Sequence, residues 1–86
     1  MINSDIVQER IIDVIKDVLE LDELVVIQRK TTANDIDGWD SLAHINIVVS
    51  VEREFNVQFQ LSDIKNLLNV GDFIDLVLRK KGVLVG

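Results

Sequence analysis

The residues of this chain with the most chemical potential are gathered in Gly38-Trp39-Asp40-Ser41-Leu42. Ser41 follows a polar, turn-like stretch and heads an apolar-periodic segment, which places its hydroxyl at the start of a helix. A serine there has two possible tasks. It can cap the helix by accepting a backbone N–H, or it can be the attachment point of a covalent group. Such a hydroxyl lies beside free backbone N–H groups and the positive end of the helix dipole. The rest of the chemical inventory is thin. His44 is the only histidine, one turn after Ser41 on nearly the same helix face, and there is no cysteine. Disulfides, thiolate metal sites and a cysteine nucleophile are therefore excluded, and any thiol chemistry must come from a cofactor. With no paired nucleophile and base, a small enzyme is the weakest functional reading, and no catalytic residue is assigned. Asp35, Asp37 and Asp40 around Gly38 invite a calcium-loop reading. Aligning Gly38 with the invariant glycine of an EF-hand loop puts Ala33 at the first ligand position and His44 at the last, where Asp and a bidentate Glu are needed. No metal site is expected.

Three helical stretches and one short helix would position these residues. The first runs from about Ser4 to Glu20, with Val7, Ile11, Val14, Ile15, Val18 and Leu19 on one stripe and Asn3 or Ser4 as the cap. A long connection follows, from about Leu21 to Asp40, in which Leu24-Val25-Val26-Ile27 is expected to pack down. Gly38 supplies a positive φ angle. The second helix should start at Ser41 and end near Phe55-Asn56, with Leu42, Ile45, Val49 and Glu52 on successive turns and Val48 and Phe55 widening the apolar face. Ser62 can cap a short helix containing Ile64, Leu67 and Leu68. Asn69 can cap the last helix, with Asp72 at its third position. Phe73, Ile74, Val77 and Leu78 form its core stripe, Arg79-Lys80-Lys81 suit its C-terminus, and Gly82 stops it. The fold class is all-α, a four-helix bundle with a long first loop.

The 86 residues fit a single domain, 1–86, and 48% of them are apolar, enough for a modest core. Residues 1–40 hold ten acidic and four basic residues, which accounts for the entire net charge of −6. A negative field of this kind repels nucleic acid and anionic membranes and steers basic partners. Met1-Ile2-Asn3-Ser4-Asp5 lacks the pattern of a signal peptide, and no apolar run approaches membrane-spanning length. A cytoplasmic protein without membrane insertion, monomeric and without nucleic acid, is the expectation.

The stretch Ile36-Asp37-Gly38-Trp39-Asp40-Ser41-Leu42-Ala43-His44-Ile45 resembles the prosthetic-group site of acyl carrier proteins. Leu61-Ser62-Asp63-Ile64 and Asn69-Val70-Gly71-Asp72-Phe73 resemble that family's third- and fourth-helix starts, so the likeness covers essentially the whole chain. The resemblance implies that Ser41 is esterified with 4′-phosphopantetheine, whose thiol holds an acyl group as a thioester. It implies that a phosphopantetheinyl transferase installs the arm from coenzyme A, that an acyl- or aminoacyl-activating enzyme loads it, and that acyl-transfer or synthase enzymes unload it. Asp40 would help to dock the transferase, and Leu42 would combine a core contact with part of the recognition patch. Trp39, His44, Ile45 and Glu52 are further candidates for partner recognition. Trp39 has two other readings, as a cover for the start of the second helix or as loop core. His44 could contact the phosphodiester or a partner, although an exposed histidine with no role is the simpler expectation.

The second helix departs from the family pattern. Many carriers of fatty-acid synthesis have a strongly acidic second helix, whereas here its early positions include Ala43, His44 and Asn46. The acidic emphasis has moved to the first helix and loop. The reading is a standalone acyl carrier of a specialised pathway. The alternatives are a peptidyl (aminoacyl) carrier protein, or an unmodified helical interaction domain in which Ser41 is only a cap.

Overall fold

The structure, a computed structural model, describes residues 3–82, so Met1, Ile2 and residues 83–86 at the ends of the expected 1–86 domain lie outside it. The chain forms α1 (Ser4–Val18), a 3₁₀ turn (Ala33–Asp35), α2 (Ser41–Phe55), α3 (Leu61–Lys65) and α4 (Val70–Lys80), with no strand among the described residues. α1 lies against both α2 and α4. Its buried stripe is Val7, Ile11 and Ile15, with Val14, Val18 and Leu19 half-buried beside it. α4 is the central element. Val70, Gly71, Phe73, Ile74, Leu76, Val77 and Leu78 are all buried, so this helix is covered almost all round.

Local signals set most of the boundaries. Asn3 caps α1 by accepting the Ile6 amide at 3.0 Å. At α4, Asn69 Oδ1 accepts the Asp72 amide at 2.8 Å, and Asp72 Oδ2 accepts the amides of Leu68 and Asn69 at 2.8 and 3.1 Å. This reciprocal arrangement satisfies donors that the first turn leaves free. Gly82 takes φ 78° beyond the end of α4. Gln60, not Ser62, is the N-cap of α3, and Asp63 reaches back to the Gln60 amide at 2.9 Å. That hydrogen bond, together with Lys80 at 3.0 Å, holds the Asp63 carboxyl below its ordinary 3.8, and the Lys80 contact ties α3 to α4.

Two packing expectations are corrected. The stripe Leu42, Ile45, Val49 of α2 faces outward; Val48 and Phe55 are buried as expected, but their buried companions are Ile47 and Val51. At 3.6 residues per turn the buried stripe is rotated by about 120° from the expected one. Apolar side chains run nearly all round this helix, so periodicity alone gives little preference, and contact with α1 decides. In the first loop Ile27 is buried and Val25 half-buried, but Leu24 and Val26 are exposed. Burial alternates along this segment, so only Val25 and Ile27 face the core.

The long loop is pinned where it crosses the start of α4. The amides of Val70 and Gly71, free donors of that helix, reach the carbonyls of Thr31 and Arg29 at 3.0 and 2.8 Å. Arg29 adds an ion pair with Asp75 at 2.9 Å. A Cβ at position 71 would stand 3.2 Å from the Arg29 carbonyl oxygen, so glycine is what lets the two backbones meet without displacement.

α1 ends two residues earlier than expected. Glu20 takes a left-handed φ of 54°, and the Leu21 amide reaches back to the Lys16 carbonyl at 2.9 Å. This is a Schellman closure without its usual glycine. Asn56 makes the same turn after α2, with φ 53° and Val57 bonded to Glu52, on a side chain that tolerates it. A non-glycine residue in that conformation costs about 1–2 kcal/mol, partly offset in a glycine variant by unfolded-chain entropy. Glu20→Gly should therefore raise stability by about 1 kcal/mol, read as a higher urea midpoint at constant slope. Glu20→Ala, which removes the charge but keeps the Cβ, should give no comparable gain.

Candidate functional site

The site is built where the loop hands over to α2. Gly38 turns the chain with φ 87°. Trp39 then drops into the core, only 8% exposed. Asp40 follows in extended conformation as the N-cap of α2, with Oδ1 accepting the Ala43 amide at 2.8 Å and its carbonyl accepting the His44 amide at 2.9 Å. Ser41 is therefore the first residue of the helix and not its cap, and it is exposed. The capping alternative for Ser41 falls because its neighbour performs that task. The hydroxyl sits at the positive end of a helix of 15 residues without being committed to holding it together.

The remaining candidates divide between surface and interior. Leu42 and Ile45 are 68% and 58% exposed, and Val49, one turn further, is 39% exposed. Together they form an outward apolar strip that begins beside Ser41. Leu42 thus makes little of the core contact expected of it. Trp39 is withdrawn from any contact surface by its burial. Of its open readings, core packing is the one the coordinates show. Its indole Nε1 donates to His44 Nδ1 at 3.1 Å, with the two rings stacked at a centroid distance of 6.2 Å. His44 is half-buried, not exposed, and its other contact is edge-on to Phe73 of α4 at 5.7 Å. Burial lowers its pKa from the ordinary 6.5. Glu52 is half-buried and turned inward, accepting the Phe59 amide at 2.8 Å, so its carboxylate braces the α2–α3 connection. Eleven residues beyond Ser41 on the same helix, it lies roughly 16 Å along the axis.

Sequence reasoning missed Val49 as a surface residue because it read the strip as core. Among the described residues no group of three or more His, Cys, Asp or Glu is placed to hold a metal ion. Nor is any helix long and apolar enough to cross a membrane.

The family model described as the phosphopantetheine attachment site matches residues 9–77. The chain belongs to the acyl carrier protein family. It is 30% identical over 71 residues to the acyl carrier protein of Porphyromonas gingivalis, a match spanning 83% of this chain and 90% of the relative. It is 37% identical over 57 residues to that of Kineococcus radiotolerans, spanning 66% and 69%. Its fold superposes with a TM-score of 0.80 on the solution NMR structure of a holo acyl carrier protein from Geobacter metallireducens, at 39% identity and covering 88% and 86% of the two chains. Acyl carrier proteins are carriers and not enzymes, and their cofactor is covalent 4′-phosphopantetheine. The residues present fit that group, since an accessible hydroxyl free of capping duty stands at a helix N-terminus that favours a phosphodiester.

The division of labour between Asp40 and Ser41 is measurable. Asp40→Ala should cost about 1 kcal/mol through loss of the cap, and Asp40→Asn should be nearly neutral because Asn caps as well as Asp. Ser41→Ala should stay within about 0.5 kcal/mol. A Ser41→Ala loss as large as that of Asp40→Ala in a thermal or urea melt would return the capping role to Ser41.

Proposed function

We propose that Ser41 carries the 4′-phosphopantetheine and that this single domain, residues 1–86, moves acyl thioesters between partner enzymes of a specialised biosynthetic pathway. The observation that carries the reading is the pairing of an Asp40 cap with an exposed, uncommitted Ser41 at the first position of α2. The arm supplies a thiol that holds the acyl group. The chain's own residues present that arm, orient the enzyme that reads it, and take no part in bond making after loading. The protein is read as a cytoplasmic monomer. Its partners are a phosphopantetheinyl transferase, an acyl- or aminoacyl-activating enzyme, and an acyl-transfer or synthase enzyme. A peptidyl carrier would differ in the class of activating enzyme that loads it.

The decisive experiment is intact mass after incubation with coenzyme A and a broad-specificity phosphopantetheinyl transferase. One phosphopantetheine increment is expected on the wild type and none on Ser41→Ala. A folded, initially unmodified wild type that gains nothing would leave the unmodified interaction domain as the better reading.

The specialised pathway rests on the exposed face of α2. Leu42, Ile45, Asn46 and Val49 are exposed there, and the first acidic residue of the helix is Glu52, whose carboxylate is engaged by Phe59. A partner with a basic docking patch finds no acidic side chain on the exposed face of α2 between its Asp40 cap and Glu52. An apolar partner face finds three aliphatic side chains, so Leu42, Ile45 and Asp40 are read as recognition residues. Housekeeping fatty-acid elongation enzymes should accept the loaded protein poorly. Adding two charges with Asn46→Glu and Val49→Glu should raise that coupling about twofold to thirtyfold at low salt, at roughly 0.2–1 kcal/mol per exposed pair. The gain should vanish near 1 M salt, where the Debye length is about 3 Å. Efficient coupling of the unaltered protein in reconstituted elongation would overturn the specialised assignment.

A further inference from the structure

Trp39, His44 and Phe73 make one connected stack across three elements. Trp39 closes the loop, His44 belongs to the second turn of α2, and Phe73 lies in the buried face of α4. Ser41 stands between the two residues joined by the 3.1 Å hydrogen bond from indole Nε1 to imidazole Nδ1. That bond requires His44 Nδ1 to be unprotonated, because the indole is a donor only. We infer that the Trp39–His44 pair is a pH-responsive latch that positions Ser41 for modification, closed with a neutral imidazole and opened by its protonation. The inference rests on the reading of Ser41 as the attachment residue.

The chemistry of opening follows from the donor count. A protonated imidazole carries N–H on both nitrogens, so Nδ1–H would face the indole N–H, donor against donor. The aromatic faces of Trp39 and Phe73 would attract a cation, but His44 would have to give up its hydrogen bond and part of its solvent at the same time. Burial is what lowers its pKa from 6.5. The carboxylates nearest in sequence to the three rings are otherwise occupied or exposed, and none of them contributes to the shift. Asp40 accepts the Ala43 amide, Asp72 next to Phe73 accepts the Leu68 and Asn69 amides, and Asp37 is exposed. The sign follows. A histidine whose folded pKa lies below its unfolded value favours the folded arrangement fully above pH 6.5, and the contribution is lost as pH falls through the folded pKa. With the latch open, the first turn of α2 loses its tie to the core, and Ser41, Leu42 and Ile45 are no longer held in one presentation.

The chain contains one tryptophan and one histidine, so both partners report without ambiguity. The test follows the Trp39 indole N–H resonance of ¹⁵N-labelled full-length protein from neutral to mildly acidic pH, with circular dichroism confirming that the helices persist. A single transition with its midpoint below 6.5 is expected, with faster indole exchange on the acid side. In His44→Asn, whose side-chain oxygen can accept the indole proton but does not titrate, the transition should disappear. His44→Gln provides the same control if His44→Asn folds poorly. The functional arm is the ratio of wild-type to variant kcat/KM for phosphopantetheine transfer at each pH, in which the transferase's own pH dependence cancels. That ratio should fall by at least about twofold along the same curve as the indole signal. An indole resonance that does not titrate, a midpoint at or above 6.5, or a ratio that stays flat while the indole titrates would each overturn the latch. Failure of the carrier reading is distinct, since neither protein would gain mass at any pH.

Discussion

Everything around Ser41 depends on two backbone hydrogen bonds made far from it in sequence, from the Val70 and Gly71 amides to the Thr31 and Arg29 carbonyls. A connection of some twenty residues without much regular structure carries a large conformational entropy, at about 1–2 kcal/mol per fixed residue. Here the first turn of α4 supplies donors that need partners, and the loop supplies carbonyls that need donors. Each satisfies the other. The loop is thereby fixed midway, Thr31 and Ile27 are buried, and the remaining stretch to Trp39 is short enough for the indole to find its place in the core. The start of α2 then follows from Asp40, which can cap only because the chain arrives in extended conformation.

The legible part of this design was the part written locally. Asn3 and Asn69, with Asp72 behind it, signal helix starts within one turn, and the structure uses each of them. Gly82 signals a stop in the same way. The extents of α2 and α4 and the all-α class were readable for this reason. What could not be read was decided by packing. The buried face of α2 is legible only at Val48 and Phe55, because Ile45, Ile47, Val49 and Val51 offer more apolar surface than the core of a small domain can take. Ser62 is a better capping type than Gln60, yet Asp63 makes the closure from the other side. The contact of Trp39 with His44 spans a loop-to-helix junction to which no periodicity rule applies, so an exposed histidine was expected where a half-buried one is found.

The charge distribution fits the same division. The acidic residues crowd α1 and the loop, while the face of α2 near Ser41 carries charge only through Asp40 and, further on, Arg53 and Glu54. Arg10 of α1 reaches Glu54 at 3.4 Å across exposed side chains, a contact worth little in water. Long-range attraction and close-range fit can therefore act separately. The acidic half would bias the approach of a basic partner over about a Debye length, and on the proposed reading the contact itself falls to aliphatic groups.

An apolar strip in water is a cost that the domain could have avoided. Burying a side chain such as Leu42 or Ile45 is worth about 1.5–3 kcal/mol, and a domain of this size has only a few such increments to spare. Polar residues at positions 42 and 45 would give up little core contact, because Ile47, Val48, Val51 and Phe55 already fill the inner face, whereas Val49 is only 39% exposed. Their retention beside Ser41 makes sense if the missing burial is completed intermittently by another protein. A strip of three aliphatic side chains is also too small for a permanent interface, which needs on the order of 1,200 Å² or more. A carrier that must leave each enzyme for the next needs contact of that limited kind. On the proposed reading the apolar strip would supply that contact, beside a serine that the Asp40 cap leaves exposed.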